Sequence, residues 1–179
     1  SANEKRFQAI FEYASDIIVV HDLEGRLLEV NNEACKRLGY LKAELLGMNV
    51  SDINIDLADS QMSSLWQKVV EGEKIRLETR MKCRDGSDYP AEVSMGLIKL
   101  GDKNFILAFV RDITDRKKFE DKLSESHRRY AELFENANDF IFTMDLEGNF
   151  TSSNRIFEKA LGYAKTELLN MNIRDILTP

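Results

Sequence analysis

The chain contains two histidines and two cysteines, the side chains best suited to metal binding and to acid–base or nucleophilic chemistry. They are His21, Cys35, Cys83 and His127, and each stands alone in the sequence. Metal sites in proteins use closely spaced pairs of such residues, and no pair of that kind occurs here. Phosphate-binding loops, nucleophile elbows and zinc-protease motifs are also missing from the sequence. The sequence therefore predicts neither a metal site nor a catalytic centre.

The two histidines differ in their surroundings. His127 lies in a charged helical pattern, and Arg128 and Arg129 follow it where a phosphate-accepting histidine would have an acidic neighbour. We therefore do not expect His127 to accept a phosphoryl group. His21 ends a short β-rich run, and we expect a structural histidine there, either half-exposed or hydrogen-bonded within the fold.

The composition is that of an ordinary globular protein, since 43% of the 179 residues are hydrophobic and 31% are charged. A net charge of −6 argues against a nucleic-acid-binding surface, which needs a basic stripe. The two cysteines suggest a reducing compartment, so we expect a cytoplasmic location. The longest apolar run, Phe105–Val110, is too short to cross a bilayer. No membrane contact is expected from this region, whatever a longer parent protein carries elsewhere.

The sequence contains an internal repeat. Residues 11–53 match residues 134–176 at a constant offset of 123 positions, without an insertion. The recurring residues include Asp16, Asp22, Leu23, Glu24, Gly25, Asn31, Leu38, Gly39, Tyr40, Leu45, Met48, Asn49 and Ile53. A repeat of this length indicates two similar modules. Pro179 corresponds to Asp56, so we expect the second module to be incomplete in these 179 residues, without its last three strands. Two strands cannot cover their own apolar face, so we expect residues 138–179 to be poorly ordered and easily cleaved, or to pack against another copy.

Hydrophobic periodicity predicts the elements that carry these residues. An amphipathic helix is expected over residues 1–14, with Phe7, Ile10 and Phe11 on one side. A hairpin turn is predicted at 22–25, and Asn31 is predicted to be the N-cap of a short helix. Further helices are expected over 42–46 and 59–72, before strands in 75–83, 89–100 and 103–111. A long charged helix over residues 114–137 then joins the two modules.

Residues 11–118 resemble a PAS domain over their whole length. The resemblance is carried by Asp22-Leu23-Glu24-Gly25, Val30-Asn31, Leu38-Gly39-Tyr40, Glu44-Leu45-Leu46-Gly47, Asp85-Gly86, Glu92-Val93-Ser94 and the run from Arg111 to Lys117. It implies an α+β fold: a five-stranded antiparallel sheet of order 2-1-5-4-3, with short helices on one face around a small cavity. It places the first PAS domain at residues 15–113, followed by the long linker helix and a partial second PAS module.

The resemblance also implies a sensor or interaction module, as found in histidine kinases and cyclic-dinucleotide enzymes. We expect a cytoplasmic module that dimerises and relays a signal through the linker helix to a downstream output domain. The expected parent is a sensor histidine kinase of a two-component system. Two alternatives stay open: a ligand-free dimerisation spacer, or the sensor region of a diguanylate cyclase or phosphodiesterase. The fragment itself is not expected to be an enzyme.

Apolar residues between the sheet and the helices are the candidates for a ligand pocket. They are Ile18, Val20, Leu38, Leu45, Met48, Ile53, Leu65, Trp66, Leu77, Val93, Met95, Leu107 and Phe109. These side chains could simply fill a core, or they could line a cavity for a small apolar ligand or a non-covalently held flavin. The resemblance disfavours haem, because residues 59–72 contain no histidine to ligate it. Cys35 lies outside the sequence setting of the flavin-adduct cysteine in the light-sensing relatives.

The run Asp112-Ile113-Thr114 marks the junction between the last strand and the long helix. As structure it caps the helix, and as function it would couple a movement of the sheet to the helix. Within the helix, Phe119, Leu123, Ser126, Tyr130 and Leu133 alternate in steps of four and three, the spacing of a coiled-coil seam. We expect this seam to form a homodimer, assisted by Phe7, Ile10 and Phe11 of the N-terminal helix.

Overall fold

The computed structural model describes residues 2–177, and the chain divides into two units after Lys118. The first unit contains α1 (Ala2–Glu12), β1 (Ile17–His21), β2 (Leu27–Val30), α2 (Asn32–Leu38), α3 (Lys42–Leu45), α4 (Val50–Ile53), α5 (Asp59–Val70), β3 (Ile75–Lys82), β4 (Asp88–Leu100) and β5 (Lys103–Asp112). Helix α6 (Thr114–Glu135) begins in the first unit and continues into the second. The second unit adds β6 (Phe142–Met144), β7 (Phe150–Ser153), α7 (Arg155–Leu161), α8 (Lys165–Leu168) and α9 (Ile173–Leu177).

Strands β1 to β5 form one antiparallel sheet in the order β2-β1-β5-β4-β3, which confirms the predicted fold and strand order. Strand β5 is central, since its Val110 lies opposite Ile17 of β1 and Val93 of β4. The face that carries these three residues is called the inner face here. Buried residues of the helices, among them Leu38 and Trp66, join it in two adjacent hydrophobic clusters.

Asn31 holds the entrance to the domain together. Its side chain is completely buried and its Oδ1 accepts hydrogen bonds from the backbone N–H of Ile18 (3.0 Å) and Ala34 (3.1 Å). Its Nδ2 donates to the carbonyl oxygens of Phe11 (3.1 Å) and Asp16 (3.0 Å). The bond to Ala34 confirms the predicted N-cap. One amide group therefore fixes the end of α1, the start of β1 and the start of α2 relative to one another.

The hairpin between β1 and β2 turns at Gly25, as predicted. Gly25 has φ of 83°, a backbone conformation that other residues rarely adopt. A Cβ atom at this position would lie 2.5 Å from Cη2 of Trp66 and 2.6 Å from Oδ1 of Asn49. The hairpin tip therefore packs directly against α5, and glycine is needed there both for its backbone freedom and for its lack of a side chain.

The second unit repeats the first half of this arrangement. Strands β6 and β7 pair antiparallel, and Phe150, Phe157 and Leu168 form its buried cluster. Asn154 corresponds to Asn31, and its Oδ1 likewise accepts from the backbone N–H of Ile141 (3.1 Å) and Phe157 (3.3 Å). The sequence repeat is thus a structural repeat over the described residues. Pro179 lies outside them, and the expected sensitivity of this unit to proteases stays a prediction.

Candidate functional site

A cavity of about 40 Å³ lies between the inner face of the sheet and helices α4 and α5. Its wall is mainly apolar. It is lined by Ile17, Val19, His21, Val50, Ile53, Asn54, Leu57, Met62, Leu65, Trp66, Leu77, Met81, Val93, Met95, Ala108 and Val110. A space of this volume is large enough for water-sized molecules or a ligand of a few heavy atoms. It is the candidate ligand site of the first unit.

Six of the residues predicted for the pocket line this cavity: Ile53, Leu65, Trp66, Leu77, Val93 and Met95. Three others, Leu38, Leu45 and Met48, belong to the adjoining hydrophobic cluster around α2 and α3 and are not part of the cavity wall. They fill the core. The predicted set therefore divides into cavity-lining residues and residues that support the fold.

The remaining four residues predicted for the pocket lie on the opposite face of the sheet from the cavity. They are Ile18, Val20, Leu107 and Phe109. Ile18 and Val20 lie opposite Phe109 and Leu107 in the register of β1 and β5, and they alternate with the inner-face residues. Both strands are apolar on both faces, so their alternation does not reveal which face points inward. The cavity residues that the sequence reasoning missed are their neighbours, such as Val19, Ala108 and Val110. Arg111 could have indicated the correct face, because Arg111, Phe109 and Leu107 are spaced two apart in β5 and therefore lie on the same face. A charged residue at the end of the strand indicates that this face points outward.

The outer face forms a groove beside α1. Val20 and Leu107 line this groove together with Phe7 and Phe11 of the helix. Phe109, further along the same face, remains 42% exposed. The outer face of the central strands is therefore apolar and only partly covered by its own chain.

His21 lies in the cavity wall with only 2% of its surface exposed. A register shift in the pairing of β1 and β2 falls between Val20 and His21, and such irregularities re-aim side chains. Nδ1 of His21 lies 2.7 Å from the carbonyl oxygen of Asp22, and the ring centroid lies 5.1 Å from that of Trp66. Burial lowers the pKa of His21, while the hydrogen bond to the Asp22 carbonyl and the Asp22 charge oppose this shift. The sequence predicted a structural histidine but gave no sign that it borders a cavity.

The cavity is smaller than the space that a flavin occupies, so its volume does not favour the expected flavin, which stays a prediction. Pockets for cofactors and drug-sized ligands occupy roughly 300–1,000 Å³, far more than the space between the inner face and α5. Helix α5, which covers the cavity, contains no histidine that could ligate haem. A small ligand therefore stays the prediction for this site.

At the junction, the last strand passes into α6 without a loop. The N–H of Ile113 donates to the carbonyl of Pro90 in β4 (3.0 Å), which extends the sheet by one residue. The carbonyl of Ile113 then accepts from the N–H of Lys117 (2.9 Å), within the first turn of the helix. Oδ1 of Asp112 accepts from the N–H of Thr114 (2.7 Å), so Asp112 is the residue whose side chain caps the helix.

Asp112 also connects the junction to the helical layer. Its other carboxylate oxygen pairs with the guanidinium group of Arg37, in the last turn of α2. Arg37 in turn lies over the ring of Tyr89, 4.8 Å from the ring centroid. The carboxylate therefore contacts the start of α6 and the end of α2 at once.

Ion pairs attach the first turn of α6 to the outer face of β3 and β4. Arg116 lies 2.6 Å from Glu78 and 3.5 Å from Glu92, and Lys117 lies 2.7 Å from Glu78. Arg76 lies 2.6 Å from Glu92. Hydrogen bonds from Lys117 and Arg76 lower the pKa values of Glu78 and Glu92, respectively. These pairs are at the surface, where each contributes little alone, but together they hold the helix start to the edge half of the sheet.

The residues predicted for the dimer seam are exposed on both helices. On α6, Phe119, Leu123, Tyr130 and Leu133 expose between 59% and 71% of their surface. Phe7 and Ile10 on α1 are similarly exposed, and the rings of Phe7 and Phe11 stack at 6.3 Å. The α6 residues form an apolar stripe at coiled-coil spacing, and the homodimer stays a prediction.

The described residues offer no other site of recognisable chemistry. Within residues 2–177, no three histidine, cysteine, aspartate or glutamate side chains come together as metal ligands. None of the helices in that range is long and apolar enough to cross a membrane.

Comparison with known families matches both units to the same domain type. A family model described as a PAS domain matches residues 15–115, and one described as a PAS fold matches residues 128–179. Among solved structures, the PAS domain of an HTR-like protein from Haloarcula marismortui aligns with a TM-score of 0.60 and 29% identity, over 63% of this chain and 93% of that one.

Two relatives among characterised proteins are named as a kinase and as a sensor. Sporulation kinase E of Bacillus subtilis is 26% identical over 179 residues, which is 99% of this chain and 24% of that protein. The methyl sulfide methyltransferase-associated sensor of Methanosarcina acetivorans is 35% identical over 120 residues, or 66% of this chain and 12% of that protein. The chain thus spans a quarter or less of the length of these relatives.

Proposed function

The chain belongs to the PAS domain family, and we propose that its cavity senses a small ligand and that its last strand relays the bound state to helix α6. The proposal rests on strand β5, which borders the cavity and also leads into helix α6. Strand β5 contributes Ala108 and Val110 to the cavity wall and ends at Asp112. The next helix begins at Thr114, without an intervening loop.

The relay works as a shift between two arrangements of the domain. A ligand biases such an equilibrium only if it binds one arrangement more tightly than the other. Because β5 lies between β1 and β4, a ligand that displaces Ala108 or Val110 also alters the position of Asp112 relative to Pro90 in β4. The Asp112 carboxylate transfers that change to the first turn of α6, which then tilts or rotates.

The dimer is the second part of the proposal. The exposed stripe of α6, from Phe119 to Leu133, pairs with the same stripe of a second chain in a parallel coiled coil. A rotation that starts at Thr114 would then change the packing of two helices together. The exposed side chains Phe7 and Ile10 of α1 offer a further apolar surface for contact with a second chain.

We further propose that the parent protein is a cytoplasmic sensor histidine kinase, with its catalytic step outside these residues. Support comes from the relatives, which include Sporulation kinase E and a protein named Sensor histidine kinase TmoS, from Ectopseudomonas mendocina, at 23% identity over 141 residues. The tandem arrangement supports this reading too, because the match to Sporulation kinase E covers both PAS units and the helix between them.

The test is a substitution at the junction in the full-length parent. Asp112→Ala removes the cap of α6 and the pair with Arg37, whereas Asp121→Ala removes an exposed carboxylate further along the same helix. We expect Asp112→Ala to change kinase output and its response to stimulus, and Asp121→Ala to leave both unaltered. A folded Asp112→Ala protein with normal output and normal response would remove the junction from the relay.

A ligand-free spacer is the second candidate, and the small volume of the cavity favours it. Such a spacer would dimerise through α1 and α6 and sense nothing. Native mass spectrometry and an absorption spectrum of the protein purified from its own host distinguish the two. A co-purifying small molecule supports the sensor, and a core that stays empty under all conditions supports the spacer.

A further inference from the structure

The proton position on His21 is fixed by its backbone contact. A carbonyl oxygen can only accept a hydrogen bond, so the 2.7 Å contact between Nδ1 of His21 and the Asp22 oxygen requires the proton on Nδ1. Burial favours the neutral ring. Nε2 then carries a lone pair and is a hydrogen-bond acceptor.

This acceptor has no protein partner. No side chain or backbone group within residues 2–177 donates a hydrogen bond to Nε2, and the ring is almost completely removed from solvent. Two other wall residues carry polar side-chain groups, Trp66 with its indole N–H and Asn54 with its amide. The amide of Asn54 is already engaged: its Nδ2 donates to Oγ1 of Thr79 (2.9 Å), and its Oδ1 accepts from the N–H of Leu57 (3.0 Å). Nε2 is not among the buried unpaired side-chain atoms of the described residues, which are Oη of Tyr89 and Oγ1 of Thr114, so it borders accessible space and can accept a hydrogen bond from a molecule in the cavity.

The rest of the wall sets the size and charge of the molecule that could supply this donor. The lining residues include no lysine, arginine, aspartate or glutamate, so an ion would find no opposite charge there. The cavity of about 40 Å³ is smaller than the roughly 150 Å³ that holds benzene in an engineered core. Met62, Met81 and Met95 line it, and the unbranched methionine side chain can move aside for a small ring.

We propose that the cavity binds a small, uncharged, mainly apolar molecule with one hydrogen-bond donor, and that Nε2 of His21 accepts the hydrogen bond from this donor. The inference rests on the proposed sensor function and names the ligand class of the same cavity. It makes His21 the residue that selects among apolar molecules of equal shape.

Pyrrole and furan provide a matched pair of probes. Both are uncharged five-membered aromatic rings, and only pyrrole has an N–H donor. Trp66 is the single tryptophan of the chain and lies in the cavity wall, so its fluorescence reports binding of either probe to the 179-residue protein. Titrations of the wild type and of His21→Phe, which keeps an aromatic ring beside Trp66 but lacks the acceptor, give the ratio of the two dissociation constants in each protein.

The preference for pyrrole over furan should fall roughly tenfold in His21→Phe, because the pyrrole N–H would then be buried without an acceptor. An unchanged ratio, with both probes still bound, overturns the role of His21 but leaves the cavity as a sensor site. Failure of both probes to bind the wild type at millimolar concentration overturns this inference and the ligand-sensing part of the proposed function together.

A second measurement needs no substitution and decides the question if His21→Phe does not fold. In histidine ¹⁵N spectra of the wild type, pyrrole should shift the Nε2 resonance of His21, whereas furan should leave it nearly unchanged. Equal shifts from both probes would mean that the ring responds to occupancy of the cavity alone, and the inference would be wrong.

Discussion

Replacing Asn31 with alanine should be among the most destabilising single changes in the first unit. The substitution leaves the N–H of Ile18 and the carbonyl oxygens of Phe11 and Asp16 without their partner, and all three contacts with Asn31 are 3.0–3.1 Å long. The N–H of Ala34 keeps a second acceptor, the backbone oxygen of Asn31. Three orphaned groups at about 1 kcal/mol or more each, plus the lost cap, give a loss of roughly 3–5 kcal/mol.

Thermal and urea unfolding, followed by circular dichroism and by the fluorescence of Trp66, measure this loss. At about 4 °C per kcal/mol for a domain of this size, Tm should fall by roughly 10–20 °C. Asn32→Ala is the matched control, because Asn32 is the exposed neighbouring residue and its side chain makes none of these bonds. A loss for Asn31→Ala that does not exceed the control by at least 1 kcal/mol would refute the view that this amide organises the domain entrance.

Three further predictions concern the turn, the buried histidine and the seam. Gly25→Ala should lower the free energy of unfolding in urea by about 1–3 kcal/mol more than Gly86→Ala does. Both glycines have a positive φ, but only a Cβ at position 25 would meet Trp66. Equal losses of stability in the two variants would exclude the close approach of the hairpin to Trp66. The pKa of His21 is lowered in the folded state, so the unfolded chain binds a proton at higher pH than the folded chain does. The free energy of unfolding should therefore decrease as the pH falls below 6.5, the ordinary pKa of histidine. The drop should be smaller in His21→Phe, and equal pH dependence of the two proteins between pH 7.5 and 5.5 would contradict the burial of this ring. Leu123→Glu should convert a dimer into a monomer by light scattering, whereas Ser124→Glu, on the other side of α6, should not; a monomeric wild type would end the seam hypothesis.

The sequence alone predicted structural features correctly where a few neighbouring residues determine them. Asn31 ahead of an apolar helix and Gly25 in a hairpin were both placed correctly, because a cap and a tight turn are decided within a few residues. The strand order came from the resemblance to a known family rather than from any pattern in the strands. Leu77, Val93 and Met95 were placed on the correct face because polar residues alternate with them.

The sequence was insufficient where a property depends on distant partners. Val20 and Leu107 were assigned to the cavity because His21, the polar residue of β1, is itself buried on the inner face and the middle of β5 has no polar residue that fixes their direction. The pairs of Arg116 with Glu78 and of Arg37 with Asp112 join residues far apart in the chain, and spacing alone cannot reveal them. The position of His21 in the cavity wall follows from the register of β1 against β5, which only the folded sheet defines.

The apolar residues on both faces of β1 and of the middle of β5 bear on the relay. Strands that are apolar on both faces belong to sheets covered on both sides. The inner face of β5, with Ala108 and Val110, borders the cavity, while its outer face, with Leu107 and Phe109, borders the groove beside α1 or stays exposed. A ligand that moves β5 must therefore disturb the outer face as well as the junction at Asp112. If a second chain covers that face, the ligand would change the dimer contact there and the start of α6 in a single movement of one strand.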